Sequence, residues 1–350
     1  MATGFKKAEA PGATLVPTTQ TDFPGYVNLA RLGITTLAEA QSVRVYADSG
    51  KTTEWAREIV SVTEMHFKIP SMSATTIPFV DWDGVRSDYA IDATYGAENV
   101  WTNNYVAVWH LEKDPTGTSP QMKDSTANAN HGTTVGTFIS SDSIVGTIGK
   151  GLKFDGSNAV NIPDSPTIHP SPNITVSSYL SFASVASNTR AISDWHQSAY
   201  TDRWIFYSNR GSIGFYVRGR QAGGTVPTLN RIYRFDGTYN KTDNKLSWYI
   251  DGALDEEVAR DLTMRSDTNQ EIRLGKQEEG GNGLDGTMDE TRISSVAREP
   301  GWIAIEHNNI DDEAAFWGTW TDVSTATTVT NIISIGNIVE LNNINSIIGA

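Results

Sequence analysis

Ile174-Thr175-Val176-Ser177-Ser178-Tyr179-Leu180-Ser181-Phe182 sets Ile174, Val176, Leu180 and Phe182 on one side of an extended chain and Thr175, Ser177 and Ser181 on the other. A period of two is what a strand with one buried face requires, and β-branched and aromatic side chains suit it. The pattern recurs outward in both directions. Leu246-Ser247-Trp248-Tyr249-Ile250 runs into Asp251-Gly252, a two-residue hairpin signal of type I′. Further strands are read at 105–111, 151–154, 159–162, 204–207, 213–217, 231–235, 271–274 and 287–293. Many short strands separated by turn residues spell a sandwich or barrel.

Towards the N-terminus, Val43 and Val45 alternate with Arg44 and Tyr46. Met65, Phe67 and Ile69 alternate ahead of Pro70, and Ile77 and Phe79 follow a Ser/Thr-rich turn. Helical signals are confined to 35–40 and to 300–310, where Pro300 suits a first-turn position. The expected fold class is therefore all-β: a small N-terminal β domain over 1–100, a sandwich over 101–322 and a distinct segment over 323–350, with 92–102 connecting the first two.

The 350 residues include 41 acidic and 27 basic side chains, a formal charge of -14. That balance repels a phosphate backbone, so nucleic acid is not an expected partner, and an anionic membrane surface is disfavoured for the same reason. With no cysteine, disulfides, thiolate nucleophiles and cysteine-ligated metals drop out. No apolar region follows Lys6 and Lys7, and no run of about 18 apolar residues occurs, so neither a secretory signal nor membrane insertion is expected.

Two sets of residues carry a family resemblance. Tyr46-Ala47-Asp48-Ser49-Gly50-Lys51-Thr52-Thr53-Glu54, Met65-His66-Phe67-Lys68-Ile69-Pro70-Ser71 and Phe79-Val80-Asp81-Trp82-Asp83-Gly84 resemble a small β domain of unknown function that precedes concanavalin-like modules in bacterial surface and phage proteins. Its members often carry Tyr-Gly-Asn where this chain has Trp82-Asp83-Gly84. The stretches at 107–111, 124–132, 151–157, 284–293 and 298–303 are similar, in that order, to the laminin-G-like/concanavalin A-like family. The resemblance implies a jelly-roll sandwich whose edge loops often bind sugars, sometimes with calcium. It also favours Asp289 as a buried anchor.

Glycoside hydrolysis needs two carboxylates on one cleft. Asp285, Asp289 and Glu290 come nearest, but adjacent strand residues point to opposite faces, so no catalytic residue is assigned. His66, His110, His131, His169, His196 and His307 show no metal-type spacing, and none is expected to ligate metal or catalyse. Calcium stays open at Asp155, Asn158 and Asp194, with Asp164 beside them, against the competing reading that these are turn formers. Trp195, His196, Tyr200 and Trp204, in and beside the polar loop 194–203, are the candidate carbohydrate-binding residues, against ordinary core or rim packing.

Val329, Ile332, Ile335, Ile338, Leu341, Ile344 and Ile347 recur at intervals of three. That period gives neither a helical stripe nor a one-sided strand, and it suits an intertwined threefold β-structure or a solenoid-like wrap; a folded-back strand or a disordered end competes with it. The resulting expectation is a non-enzymatic phage virion protein, a capsid decoration or fibre, which displays the sandwich to cell-surface glycans. Its partners would be its own copies, a trimer by preference, and other virion proteins. The alternatives are a glycan-binding module on a bacterial surface and a glycosidase.

Overall fold

The computed structural model describes residues 3–194, 204–209, 211–264, 270–277 and 282–324. Trp195, His196, Tyr200 and the Val329 to Ile347 repeat lie outside the described residues.

The fold is all-β, with two eight-stranded sheets face to face. The first runs Ser143–Val145, Lys150–Asp155, Asp285–Ser294, Ile174–Ser184, Tyr233–Asn240, Lys245–Ile250, Ala253–Ala259, with Tyr105–Trp109 also paired to Asp285–Ser294. The second runs Arg220–Thr225, Ser212–Val217, Trp204–Asn209, Thr189–Asp194, Ile272–Leu274, Ala159–Ile162, Thr133–Val135, with Asn282–Gly283 beside Thr189–Asp194. Ile174, Val176, Leu180 and Phe182 turn inward together against Phe206, Phe215 and Trp248, as their alternation requires. Trp248 stacks on Phe235 at 5.1 Å between centroids and meets Phe206 edge-on at 5.0 Å. Asp251 and Gly252 both have positive φ, 49° and 77°, the geometry of a type I′ turn.

A second apolar cluster gathers Phe23, Val27, Met65, Phe67, Ile69, Val80 and Trp82 from a three-stranded sheet (Gln20–Asn28, Glu64–Met72, Arg57–Ile59) and a five-stranded one (Thr321–Asp322, Gly4–Lys7, Phe79–Trp82, Arg44–Tyr46, Glu54–Trp55). The chain returns to this cluster after the sandwich. Helix Pro300–Asp311, with Pro300 in its first turn, and helix Glu313–Trp317 insert Trp302, Ile305, Phe316 and Trp317 into it. Asn309 caps the edge of Gln20–Asn28, accepting from the Tyr26 amide at 2.6 Å and donating to the Tyr26 carbonyl at 3.1 Å. The signal at 35–40 becomes helix Leu37–Gln41, whose capping box joins Thr36 and Glu39. Among the described residues no helix is long and apolar enough to cross a membrane.

Candidate functional site

The three-stranded sheet turns Met65, Phe67 and Ile69 into its own cluster, so alternation sends Glu64 and His66 the other way, towards the sandwich. Register places Glu58 and Tyr26 on either side of His66. Facing them, Asp285–Ser294 contributes Glu290 and Arg292, and His110 follows the end of strand Tyr105–Trp109. All of these side chains are buried or nearly so.

A continuous polar network results. His110 Nδ1 lies 2.5 Å from Glu290 Oε1 and 3.3 Å from Glu64 Oε1, while His66 Nε2 lies 3.3 Å from Glu64 Oε1 and 3.9 Å from Glu290 Oε2. The two imidazoles stack at 4.8 Å between centroids. His110 Nε2 is 3.2 Å from Glu58 Oε2, and Glu58 is fixed by Trp101 Nε1 and Ser125 Oγ, each donating at 2.6 Å. On the far side Glu290 pairs with Arg292, whose Nη1 meets Glu306 Oε1 at 2.5 Å. Glu306 Oε2 accepts from Arg234 at 2.6 Å, and Arg234 grips Asp236 through two bonds of 2.9 and 2.7 Å.

Such burial moves the ionisations apart. Burial and the neighbouring Glu290 push Glu64 well above the usual carboxylate range. Burial works against a charged His110, yet the carboxylates of Glu290 and Glu58 more than offset it and hold the imidazole well above its ordinary value. For Glu290, His110 and Arg292 overcome burial and lower it. Burial lowers His66. A cleft of about 150 Å³, lined by Glu58, His110, Glu112, Lys123 and Ser125, reaches the outer edge of this network.

The expectation that Asp289 and Glu290 face opposite ways fails because the strand is not regular there. Glu290 has φ 48°, and the pairing with Ile174–Ser184 shifts register between Ser177 and Tyr179. Such a bulge re-aims a side chain. Glu290 joins Arg292, while Asp289 anchors the 146–150 loop by accepting from Thr147 and Ile148 amides at 2.7 and 3.2 Å. Ile148 packs on Tyr26 of the other unit. The loop passes so close to Glu64 that a Cβ on Gly149 (φ +55°) would collide with both Glu64 and Glu112.

The residues singled out in sequence for calcium do not converge. Asp155 Oδ1 is occupied by its own turn, accepting from the Ser157 amide and hydroxyl and the Asn158 amide, and Asn158 Oδ1 accepts from the Asp155 amide. Asp194 faces His169, which also meets Asp164. Trp204 is fully buried in the sandwich core, so it offers no ring face to a sugar. The histidine cluster was missed because the partners are far apart in sequence and sit on strand faces that ordinarily meet water.

The outer face of the second sheet carries a different surface, and none of its residues belongs to the N-terminal apolar cluster. Asn161, Arg273, Ser193, Ile205, Tyr216 and Gln221 lie in register across it. In the neighbouring row Arg190 stands opposite Tyr207. Tyr207 and Tyr216, both half-buried, meet edge-to-face at 4.9 Å. Their hydroxyls donate to Asn188 and, at 2.5 Å, to Gln221.

Residues 154–304 match the family model of the concanavalin A-like lectin/glucanases superfamily, in its laminin-G form, and carry a domain of that superfamily. No curated protein matches the chain. Among solved structures, domain 4 of AbnA, an extracellular GH43 arabinanase from Geobacillus stearothermophilus bound to arabinotriose, is 16% identical, with 57% of this chain and 97% of that one covered and a TM-score of 0.45. The binding domain of Paraclostridial Mosquitocidal Protein 1 is 13% identical, with coverage of 59% and 52% and a TM-score of 0.44. The binding domain of botulinum neurotoxin DC in complex with SialylT is 12% identical, with coverage of 59% and 52% and a TM-score of 0.43. The chain thus spans about half the length of the two toxin domains.

Proposed function

We propose that this concanavalin A-like sandwich makes the chain a non-catalytic adhesion protein, one that binds carbohydrate on the outer face of its second sheet. The observation that carries the reading is the partly exposed set of Tyr207, Tyr216, Arg273, Asn161 and Gln221 on that face: rings offer an apolar surface to a pyranose, while guanidinium and amide groups meet hydroxyls. The opposite side of the sandwich is covered by the N-terminal unit. The candidate acids support a non-catalytic role. Glu290 is engaged with His110 and Arg292, Asp289 holds backbone amides, and Asp285 accepts from Ser184 at 2.8 Å.

In this reading the module is displayed outside a cell, on a phage virion as capsid decoration or fibre in preference to a bacterial surface. The three-residue apolar repeat from Val329 to Ile347 assembles copies, so that weak sugar contacts are multiplied. A glycan array with the full chain tests the binding: retention of defined polysaccharides is expected, and an empty array overturns the proposal. A reducing-sugar release assay on the retained polysaccharides tests the non-catalytic part. Turnover that Glu290→Gln abolishes would make the chain a glycosidase.

A further inference from the structure

We infer that Glu64, His66, His110 and Glu290 form a closed binding site for one divalent transition ion of the zinc class, at the seam between the N-terminal unit and the sandwich. Among the described residues they are the group of His, Asp and Glu side chains that could jointly hold an ion, with one ligand atom each and all within 4.8 Å of one another. Tetrahedral zinc with bonds of about 2.0–2.1 Å sets its ligand atoms about 3.3 Å apart. Two separations here, His66 Nε2 and His110 Nδ1 to Glu64 Oε1, are 3.3 Å, and His66 Nε2 to Glu290 Oε2 is 3.9 Å. The His110–Glu290 approach of 2.5 Å must open by less than about 1 Å to admit the ion.

Two further observations point to a cation. Glu64, fully buried, leaves Oε2 with no hydrogen-bond partner while its Oε1 sits between the two imidazoles, an arrangement costly for a carboxylate unless positive charge is near. The surroundings already have the form of a ligand support shell. His110 directs Nδ1 inward and Nε2 to the Glu58 carboxylate, itself held by Trp101 and Ser125, and a carboxylate behind a ligating histidine fixes its tautomer and raises its basicity. Arg292 steadies Glu290 in the same way. Two imidazoles with two carboxylates select zinc or a neighbouring first-row ion over calcium or magnesium, which take oxygen ligands. Four protein ligands leave no open position, so the ion is structural, a clip that joins strand Glu64–Met72 of one unit to Glu290 and His110 of the other.

The test uses the full chain, stripped with chelator and titrated with Co²⁺ and Zn²⁺. Intense visible d–d bands of tetrahedral cobalt, saturating at about one ion per chain, are expected, with a melting temperature that rises with Zn²⁺ and does not respond to Ca²⁺. Glu64→Gln and His66→Asn should each lose the bands and the shift, with far-ultraviolet circular dichroism showing whether they fold. If neither variant folds, the wild-type spectrum decides alone. Absence of bands and of any Zn²⁺ shift in the wild type overturns the proposal, as do bands that survive both substitutions or a Ca²⁺ shift equal to that of Zn²⁺. None of these outcomes depends on whether sugar binds the second sheet.

Discussion

Arg292 Nη1 and Glu306 Oε1 stand 2.5 Å apart, joining a strand in the middle of the sandwich's first sheet to a helix that serves the other apolar cluster. Both side chains are almost wholly buried, and Glu306 also neutralises Arg234. Replacing Glu306 with Gln keeps the shape and withdraws the charge from two guanidinium groups. Breaking a buried pair in this way costs about 3–5 kcal/mol, so denaturant unfolding should show a clear fall in stability. A loss below about 1 kcal/mol would show that the pair contributes little to the union of the two units.

The same carboxylate sets an acid limit. Burial raises its pKa, but Arg234 and Arg292 overcome this and bring it from 4.5 down to about 2. A group more acidic in the folded chain adds stability that is complete above the unfolded value and drains away as pH falls towards the folded one; here the amount is on the order of 3 kcal/mol. Stability measured between those two pH values should therefore slope downward on acidification, and the slope should flatten in Glu306→Gln. Identical slopes in the two proteins would contradict the assignment.

Gly286 gives a purely steric prediction. A Cβ there would strike the backbone of Ser181 and Phe182 on the paired strand, where no flexible side chain can move aside. Gly286→Ala should lower stability by about 1–3 kcal/mol, the usual range for overpacking. A melting temperature equal to that of the wild type would mean that the two strands separate more easily than their register implies.

For the proposed sugar face, Tyr216→Ala and Tyr207→Ala should each weaken retention of any polysaccharide found on the array. A stacked aromatic worth about 1.4 kcal/mol corresponds to a tenfold loss. The melting temperature should fall only modestly, since both rings are half-exposed. Undiminished binding in the double variant would move the site off this sheet.

Deleting residues 325–350 tests assembly. The strand Thr321–Asp322, paired with Gly4–Lys7, stays in place, so the truncated chain should fold. Its mass in light scattering should fall to that of one chain, while the intact protein reads as an oligomer. Unchanged stoichiometry would remove the tail from assembly.

The sandwich was legible because its strands obey a simple rule: Ile174, Val176, Leu180 and Phe182 keep a period of two that only Ser178 breaks, and the Asp251-Gly252 turn announces its hairpin. Strands such as Arg220–Thr225 and Ala253–Ala259 escaped notice because glycines or charges replace the apolar positions that make alternation visible. The buried network was hidden for a different reason. Polar residues alternating with Met65, Phe67 and Ile69 read as a solvated face, and only packing of one unit on the other turns that face inward. The bulge at Glu290 leaves no mark in the sequence, because glutamate is not a residue that announces positive φ. The tyrosine row was equally invisible, since it depends on which strands become neighbours.

The pairing of Thr321–Asp322 with Gly4–Lys7 has a mechanical meaning. Pulled by whatever follows residue 324 while a ligand holds the far sheet, the molecule would carry tension first through this short strand pair. From there it would pass through helices Glu313–Trp317 and Pro300–Asp311 and across the Arg292–Glu306 contact into the sandwich. A two-residue strand is the weakest segment of that path, so under load this end would peel open before the recognition face loosens its grip.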